Sequence, residues 1–365
     1  MSKRNGSLDV LRALAIVWVV NCHIVSAYVK APHLHVLQLG GKGVDLFFVL
    51  SGWLFGRQLL NELRQHGTID VRRFWYRRWL RTLPAYYAVL LPTLAWQLLA
   101  KNPSWQLGSF VGFGQNYLAR IPCFGVSWSL CVEEHFYLLI APLLVVLFRF
   151  RTAVVLLPFL LLTPHVCRVM GWYHSMEQTH VRWDQCASGV VLAYFSVFQP
   201  KIWERFCRWA PALALVGLTL TCVNVVIRLH PAWRMGDLNT TCWTFIFTAW
   251  VLLGNSSEFW KTNFRYLPIR YVADRAYALY LLHVESFAIL KRFGELSFLQ
   301  YMVLSWVISL VLAEVIYRAV ELPFMNLREK FASTRSPEHV AVRTESSAPV
   351  IAEPLPALSE AAAVP

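Results

Sequence analysis

The stretch LDVLRALAIVWVVNCHIVSAYV, from Leu8 to Val29, is predominantly apolar and long enough to cross a bilayer as one helix. Arg12 and His23 lie inside it. Eleven residues at about 100° each place the two side chains within about 20° of one helix face, roughly 16 Å apart along the axis. Because ionisable groups are costly inside a membrane, this pair predicts a functional role. Alternatively, Arg12 extends to the interface and His23 hydrogen-bonds a neighbouring helix.

The composition indicates an integral membrane protein. Of the 365 residues, 57% are hydrophobic and 15% are charged, whereas a soluble domain carries about 25% charge. We therefore expect an all-α polytopic bundle of about ten transmembrane helices, multi-pass in the cell (inner) membrane and in contact with its lipids. No small-residue cleavage site follows the first span, so we expect it to stay uncleaved. The predicted spans are residues 8–29, 43–60, 80–100, 127–148, 152–170, 186–198, 210–228, 239–254, 274–292 and 299–319.

The basic residues sort by side of the membrane. The net charge of +13 would suit nucleic-acid binding in a soluble protein. With the N-terminus inside, however, the inner loops and tails hold 23 Lys and Arg residues and the outer loops hold 10. By the positive-inside rule, this asymmetry predicts cytoplasmic termini and no nucleic-acid partner. Residues 1–332 are expected to form one transmembrane domain, and the Pro-, Ala-, Ser- and Glu-rich residues 333–365 a disordered cytoplasmic tail.

The second span begins with GVDLFFVLSG, which places a carboxylate at the outer membrane boundary. With the loop 30–42 outside, Asp45 would enter the membrane at a depth similar to that of His23. A His23–Asp45 pair would raise the basicity of the imidazole and suit a general base. Alternatively, Asp45 caps the start of the helix. Gly52 shares the face of Asp45 and predicts a close approach to another helix.

The fourth span carries two adjacent carboxylates, Glu133 and Glu134. Ser129, Glu133 and Tyr137 recur every four residues and so form one polar stripe on a helix. Because carboxylates that face lipid are expensive, the stripe predicts that Glu133 faces a shared cavity. Glu134 and His135 either take part in this site or only support packing.

Four further polar positions are open to more than one interpretation. Arg182 and Asp184, in an outer loop before the sixth span, form either an ordinary exposed pair or part of an acceptor site. His283, within the ninth span, is either a satisfied structural residue or a functional one. Glu321 follows the tenth span, and we expect it to accept a hydrogen bond from the cytoplasmic arginines in a structural role.

The segment RRFWYRRWLRTLPAYY, at residues 72–87, has five arginines interleaved with aromatic residues. A juxtamembrane basic cluster is commonly a topology signal or a contact for anionic lipid. The alternative is a clamp for a phosphate-rich ligand, in which Arg78 and Arg81 share a helix face. The aromatic residues would then stack on a nucleobase; they are Trp75, Tyr76 and Trp79.

Seven motifs of this chain, taken in order, resemble those of the membrane-bound acyltransferase 3 family. Its members are the integral O-acyltransferases that modify bacterial surface polysaccharides and related acceptors. Each motif alone is weak, but their order over nearly all of the chain up to the tail is specific. Cys131 stands where a small Ser or Ala is usual, His135 replaces a glutamine and Ala276 a serine. The motifs are LDVLR…H at 8–23, GVDLFFVLSG at 43–52, RRWLRTLPAYY at 77–87, WSLCVEEHFY at 128–137, THVRWD at 179–184, YALYLLH at 277–283 and ELPF at 321–324.

The resemblance and the predicted topology imply transfer of an acyl group from cytoplasmic acyl-CoA to a hydroxyl of a carbohydrate or lipid-linked sugar, with acetyl-CoA as the expected donor. His23, oriented by Asp45, would take the proton from the acceptor hydroxyl; an acyl-histidine intermediate is equally compatible. The expected sites are a catalytic group of His23, Asp45 and Glu133, a donor-binding group of Arg12, Arg78 and Arg81, and acceptor-binding or supporting residues Arg182, Asp184, Glu134 and His283.

Two other classes of function also use polar residues inside a membrane. A polysaccharide or lipid transporter without acyl transfer would use them as a substrate path, although no repeat symmetry supports this. A non-catalytic membrane component would use them for helix association, and assembly into a homo-oligomer stays open. The eight cysteines form no C-x-x-C and no His/Cys cluster with metal-ligand spacing. We therefore expect neither a metal nor a permanently bound cofactor.

Overall fold

We describe the chain from a computed structural model, for residues 4–28, 32–99, 105–149, 153–229, 238–263, 266–290 and 293–332. Within these ranges all regular structure is helical, which confirms the predicted all-α class. Short 3₁₀ segments cover Pro32–Lys42, Trp105–Phe110, Gln115–Tyr117, Gly125–Ser127 and Thr179–Val181, and a π-helical turn covers Tyr317–Glu321. The α-helices are α1 (Gly6–Ala27), α2 (Gly43–His66), α3 (Val71–Leu99), α4 (Trp128–Arg149), α5 (Ala153–Val169), α6 (Asp184–Phe198), α7 (Pro200–Leu229), α8 (Leu238–Ser256), α9 (Glu258–Asn263), α10 (Leu267–Asp274), α11 (Ala276–Leu290), α12 (Phe298–Ile316) and α13 (Leu322–Ala332).

Each of the ten predicted spans coincides with a helix. α3 and α7 begin earlier than predicted, because the basic and aromatic residues before their apolar parts continue the helical turns. The chain is a multi-pass helical membrane protein, while ten crossings and cytoplasmic termini stay predictions. The predicted tail, 333–365, lies outside the described residues. Within the described ranges, four helices are by length and composition able to cross a membrane: Gly6–Ala27, Gly125–Arg149, Pro200–Ile227 and Phe298–Lys330.

Helix α1 lies at the centre of the bundle, where it packs against α2, α8, α10 and α11. Ile16, Val19 and Ile24 on this helix are completely buried. Because neighbouring helices enclose α1 on several sides, polar side chains along it meet protein rather than lipid. Arg4 lies just before the start of α1, and we call the end of the bundle that carries it, together with Arg328, the basic end.

Helices α2 and α6 pack with their backbones in contact at two glycines. A Cβ atom at Gly52 would lie 1.9 Å from the carbonyl oxygen of Cys186, and one at Gly189 would lie 2.3 Å from the carbonyl oxygen of Val49. Neither space admits a side chain, which confirms the close approach predicted at Gly52. The contact sets the depth of α2 relative to α6, and with it the neighbours of Asp45.

The 3₁₀ segment Pro32–Lys42 runs back along α1 instead of leaving the bundle. A Cβ atom at Gly40 would lie 2.2 Å from the carbonyl oxygen of Trp18, and one at Gly43 would lie 2.4 Å from that of Ala15. Helix α2 therefore begins near the middle of α1 rather than beside its C-terminal end.

We expect Gly52→Val to destabilise the protein by about 1–3 kcal/mol or more, because the new side chain must displace the backbone of α6. The melting temperature of the purified protein in detergent should fall by several degrees. Gly112→Val is the matched control, since a Cβ atom there meets nothing within 4 Å. If both variants melt like the wild type, the backbone contact between α2 and α6 does not stabilise the fold.

Candidate active site

A cavity of about 410 Å³ opens at the basic end between α1, α2, α3, α4 and α11. We call it the basic cavity, because its arginines outnumber its carboxylates. A cavity with this charge balance inside a low-dielectric bundle attracts anions. Its arginines are Arg4, Arg12, Arg78, Arg81 and Arg270, and its carboxylates are Glu133, Asp274 and Glu321.

The positive charge of the basic cavity is only partly neutralised. Arg4 donates to Asp9 at 2.6 Å and to Asp274 at 2.6 Å, and the hydrogen bond to Asp9 raises the pKa of Arg4 above its ordinary value. Arg12 shares Asp9, with 3.3 Å between Nη1 and Oδ1. Arg81 has no ion pair or hydrogen bond within the described part of the chain. Arg12 and Arg81 are therefore available to an anionic ligand.

Arg78 lies deeper and is already paired. Its Nη2 donates to Oε2 of Glu133 at 2.8 Å, and its guanidinium lies between the rings of Phe55 and Tyr137, 4.7 and 4.2 Å from their centroids. Arg78 and Arg81 both line the basic cavity, and their phosphate clamp stays a prediction. Of the two, Arg78 is paired with Glu133, whereas Arg81 has no ion pair among the described residues.

Glu133 faces the basic cavity, as its polar stripe predicts. Besides Arg78, it accepts hydrogen bonds from Ser51 at 2.9 Å and from the Tyr137 hydroxyl at 3.1 Å. Glu134 points to a different neighbour, since its Oε1 accepts from Thr82 at 3.0 Å and it is buried. Of the two carboxylates, Glu133 belongs to the cavity, and Glu134 ties α4 to α3.

Part of the predicted aromatic stacking surface makes contacts with other residues of the protein. The indole of Trp75 donates to the carbonyl oxygen of Tyr137 at 3.1 Å and stacks on Trp79 with 6.1 Å between ring centroids. Trp75 therefore packs α3 against α4, while a contact with a nucleobase stays a prediction. Tyr76 and Trp79 stay exposed, with 45% and 36% of their surface accessible.

The inner end of the basic cavity closes at a contact between α4 and α11. The hydroxyls of Ser129 and Tyr280 lie 2.6 Å apart, and Tyr280 also donates to the carbonyl oxygen of Val126 at 2.8 Å. On the far side of Tyr280 lies His283, whose ring centroid is 5.8 Å from that of the tyrosine. The basic cavity thus ends one side chain away from this histidine.

His23 pairs with His283. Nε2 of His283 lies 3.2 Å from Nδ1 of His23, and the ring centroids are 4.8 Å apart. Nδ1 of His283 faces the carbonyl oxygens of Leu279 and Tyr280 at 3.1 and 2.9 Å, so this nitrogen carries a proton and Nε2 is the acceptor.

The same argument assigns the proton of His23. Both neighbours of its Nδ1 are acceptors, namely Nε2 of His283 and the carbonyl oxygen of Val19 at 2.9 Å. Nδ1 of His23 is therefore the protonated nitrogen in the neutral ring, whichever acceptor it uses. Nε2 keeps its lone pair, and His23 is only partly buried. This nitrogen can take a proton from a ligand.

Asp45 does not orient His23, contrary to prediction. Its Oδ1 accepts from Arg182, and its Oδ2 lies 3.3 Å from Nζ of Lys42. Burial lowers the pKa of Lys42, and Asp45 opposes this effect. The physical reason is the returning 3₁₀ segment: α2 begins beside Ala15, about two helical turns from His23.

Arg182 and Asp184 are both buried and do not form an exposed pair. The guanidinium of Arg182 lies 5.2 Å from the ring centroid of Trp128, in addition to its contact with Asp45. Asp184 accepts from Nη2 of Arg168 at 2.9 Å, and Nη1 of the same arginine donates to the carbonyl oxygen of Val181 at 2.7 Å. The loop before α6 is therefore held from both sides.

Arg168 is the residue that the sequence analysis missed. It has 1% of its surface exposed, near the end of α5. A cation inside a predicted span was the available signal, because such a residue needs a buried partner. Thr241 on α8 also accepts from it, at 3.0 Å, so Arg168 joins three elements.

Comparison with known proteins places this site in context. Residues 5–318 match the model of a family described as an acyltransferase domain. Over 87% of its length, the chain is 23% identical to a peptidoglycan O-acetyltransferase of Listeria monocytogenes and 24% identical to a putative peptidoglycan O-acetyltransferase of Bacillus subtilis. It is also 23% identical, over 87% of its length, to an O-acetyltransferase of Staphylococcus aureus. The chain covers 55%, 54% and 56% of these proteins, about half of their length. No solved structure matches it.

We expect Arg78→Ala to destabilise the protein by about 3 kcal/mol, because it leaves the partly buried carboxylate of Glu133 without its cation. The double variant Arg78→Met/Glu133→Gln removes both charges and should recover most of the lost stability. Thermal unfolding in detergent measures both effects. Equal melting temperatures for the wild type and Arg78→Ala would show that the pair does not hold α3 to α4.

Proposed function

Because the chain belongs to this acyltransferase family, we propose that it transfers an acyl group, with acetyl as the expected group, from acyl-CoA to a hydroxyl of a carbohydrate or lipid-linked sugar. One observation carries the proposal: a cavity whose arginines outnumber its carboxylates leads from the basic end toward a histidine with an available lone pair. The names of the relatives support a carbohydrate acceptor, since two of them are named for peptidoglycan.

The donor would bind by its phosphates at Arg12 and Arg81. One guanidinium group can donate two parallel hydrogen bonds to two oxygens of a phosphate, and it stays charged at all physiological pH values. A side chamber of about 240 Å³ shares Arg12 and Arg81 with the basic cavity and adds Arg77 and Arg328. The charge asymmetry of the loops predicts that this end faces the cytoplasm, where acyl-CoA is available.

The acyl group would then reach His23 from the inner end of the cavity. The pantetheine arm extends along the cavity past Ser51 and Ser129, and the Ser129–Tyr280 contact must open to admit the thioester. Such an arm spans much of a hydrocarbon core of about 30 Å. The arrangement brings a donor from one side of the membrane to a base near the other.

His23 acts as the general base in this proposal. Its Nε2 takes the proton of the acceptor hydroxyl as that oxygen attacks the thioester carbonyl carbon. The tetrahedral intermediate collapses with cleavage of the C–S bond, and the imidazolium returns the proton to the departing CoA thiolate. His283 accepts from Nδ1 of His23 and so holds the ring with Nε2 toward the substrates.

Arg182 and Asp45 contribute on the acceptor side. Their ion pair lies between the start of α2 and the loop before α6, at a level near the middle of α1. A buried arginine held by a carboxylate and an aromatic ring presents fixed N–H donors to sugar oxygens. Asp45 in this proposal positions Arg182 and has no contact with the base.

We expect His23→Ala to lower CoA release by a factor of about 10²–10⁴, with little change in the KM for acetyl-CoA, because it removes only the base. CoA release from acetyl-CoA is measured with purified protein and soluble peptidoglycan fragments as acceptor. His174→Ala is the control, since this histidine is exposed in a loop. Acylation by His23→Ala at the wild-type rate would exclude His23 as the base.

We expect Arg81→Ala to raise the KM for acetyl-CoA about tenfold, because one charge-assisted contact with phosphate is lost. Arg205→Ala is the matched control: this arginine is exposed on α7 and does not line the basic cavity. The same preparation tests the rival class of function. Transport of glycan into vesicles without release of CoA would indicate a transporter and contradict the proposal.

A further inference from the structure

The helix at the end of the chain changes its winding where it meets the basic cavity. α12 and α13 would form one continuous helix, but residues Tyr317–Glu321 between them form a π-helical turn. A π-helical turn accommodates one extra residue and rotates the side chains at that point, and such turns are frequent at functional sites. Here the last residue of the turn, Glu321, is directed into the basic cavity and is 5% exposed.

The carboxylate of Glu321 lacks the partner predicted for it. Its Oε1 is buried and accepts no hydrogen bond within the described part of the chain. The backbone of Ala278 is the neighbour that hydrogen-bonds this carboxylate. No ion pair joins Glu321 to Arg12 or Arg81 among the described residues, although all three line one cavity. The predicted structural hydrogen bond from a cytoplasmic arginine is therefore absent here.

A buried carboxylate oxygen without a donor is costly, so the fold keeps Glu321 at an energetic disadvantage unless a ligand supplies the missing donor. A phosphate cannot do so, because it carries the same sign of charge. The ligand that satisfies this cavity has anionic groups for Arg12 and Arg81, and a neutral N–H or O–H group for Glu321. Acyl-CoA has both, since its pantetheine arm carries a hydroxyl and two amide N–H groups beyond the pyrophosphate.

We propose that Glu321 accepts a hydrogen bond from an N–H or O–H group of the pantetheine arm and thereby selects donors that carry this arm. This inference rests on the proposed function, because it concerns the same cavity and the same donor. Glu321 touches the donor away from the thioester, so it determines donor specificity and takes no part in the proton transfer. The phosphates bind at the arginines, and the arm runs between Arg81 and Glu321 toward Ser129.

The test compares the effect of one substitution on two ligands that share a phosphorylated adenosine and differ in the arm. CoA carries the pantetheine arm on a 5′-pyrophosphate, whereas adenosine 3′,5′-bisphosphate carries the 3′-phosphate and a single 5′-phosphate without the arm. Both are titrated into the purified full-length chain in detergent by calorimetry. Glu321→Ala should weaken CoA binding about tenfold and leave the Kd of the bisphosphate unchanged. Glu321→Gln keeps an acceptor oxygen and should weaken CoA binding by a smaller factor, roughly threefold.

Matched controls separate this inference from a structural role. Glu258→Ala removes an exposed carboxylate at a distance from the cavity and should change neither Kd. If Glu321 only balances the charge of the arginines, Glu321→Ala will tighten the binding of both ligands, and the inference is overturned. An equal loss of affinity for both ligands would also overturn it. Should the alanine variant not fold, Glu321→Gln gives the same comparison with nearly the same side-chain volume.

The wild type distinguishes failure of this inference from failure of the proposed function. Wild-type protein that binds neither CoA nor acetyl-CoA would contradict the proposed donor itself. Wild-type protein that binds CoA, with Glu321→Ala and Glu321→Gln binding it equally well, would overturn the role of Glu321 alone. Binding of CoA that depends on Glu321, with bisphosphate binding that does not, supports both.

Discussion

The cost of burying charge in a helical membrane bundle is the constraint on which the rest of this structure depends. A buried ion needs a partner with good geometry, because removing either member leaves an uncompensated charge. Among the described residues, three interior ion pairs that join different elements are Arg78 with Glu133, Arg182 with Asp45, and Arg168 with Asp184. They hold α3 to α4, the loop before α6 to α2, and α5 to α6. Through them the polar residues of a membrane protein determine how its helices associate.

The properties of the candidate site follow from the polar groups that these ion pairs do not use. Arg78 is paired with Glu133, whereas Arg81 has no ion pair among the described residues, so the basic cavity keeps uncompensated positive charge. His23 contacts a second histidine and a carbonyl oxygen, and no carboxylate contacts it among the described residues. The bundle thus separates the basic end from His23, with Ser129 and Tyr280 between them. This separation suits the proposed reaction, in which an anionic donor meets a neutral hydroxyl acceptor.

The sequence predicts local features of this protein correctly but does not predict its long-range contacts. The ten apolar segments are helices, and Glu133 faces a cavity, because both properties depend on residues close in sequence. The approach at Gly52 was also predictable, since a glycine on a helix face leaves room for one backbone to contact another. The partners of the charged residues were not predictable from the sequence. The sequence predicts that Asp45 orients His23, but Asp45 pairs with Arg182. The pairing of Arg78 with Glu133 is not predicted by any pattern within one helix.

The sequence by itself therefore determined the helical class, the membrane-length segments, the motifs of the family and the set of polar residues that the bundle has to accommodate. Only the tertiary structure decided which of these residues meet. The reason is the position of the helices along one another. The 3₁₀ segment after α1 returns along that helix, and the glycines of α2 and α6 bring the backbones of these two helices into contact. Because of these two features, Asp45 lies away from His23 and beside Arg182. The periodicity of residues within one helix does not predict how far that helix is shifted along its neighbour.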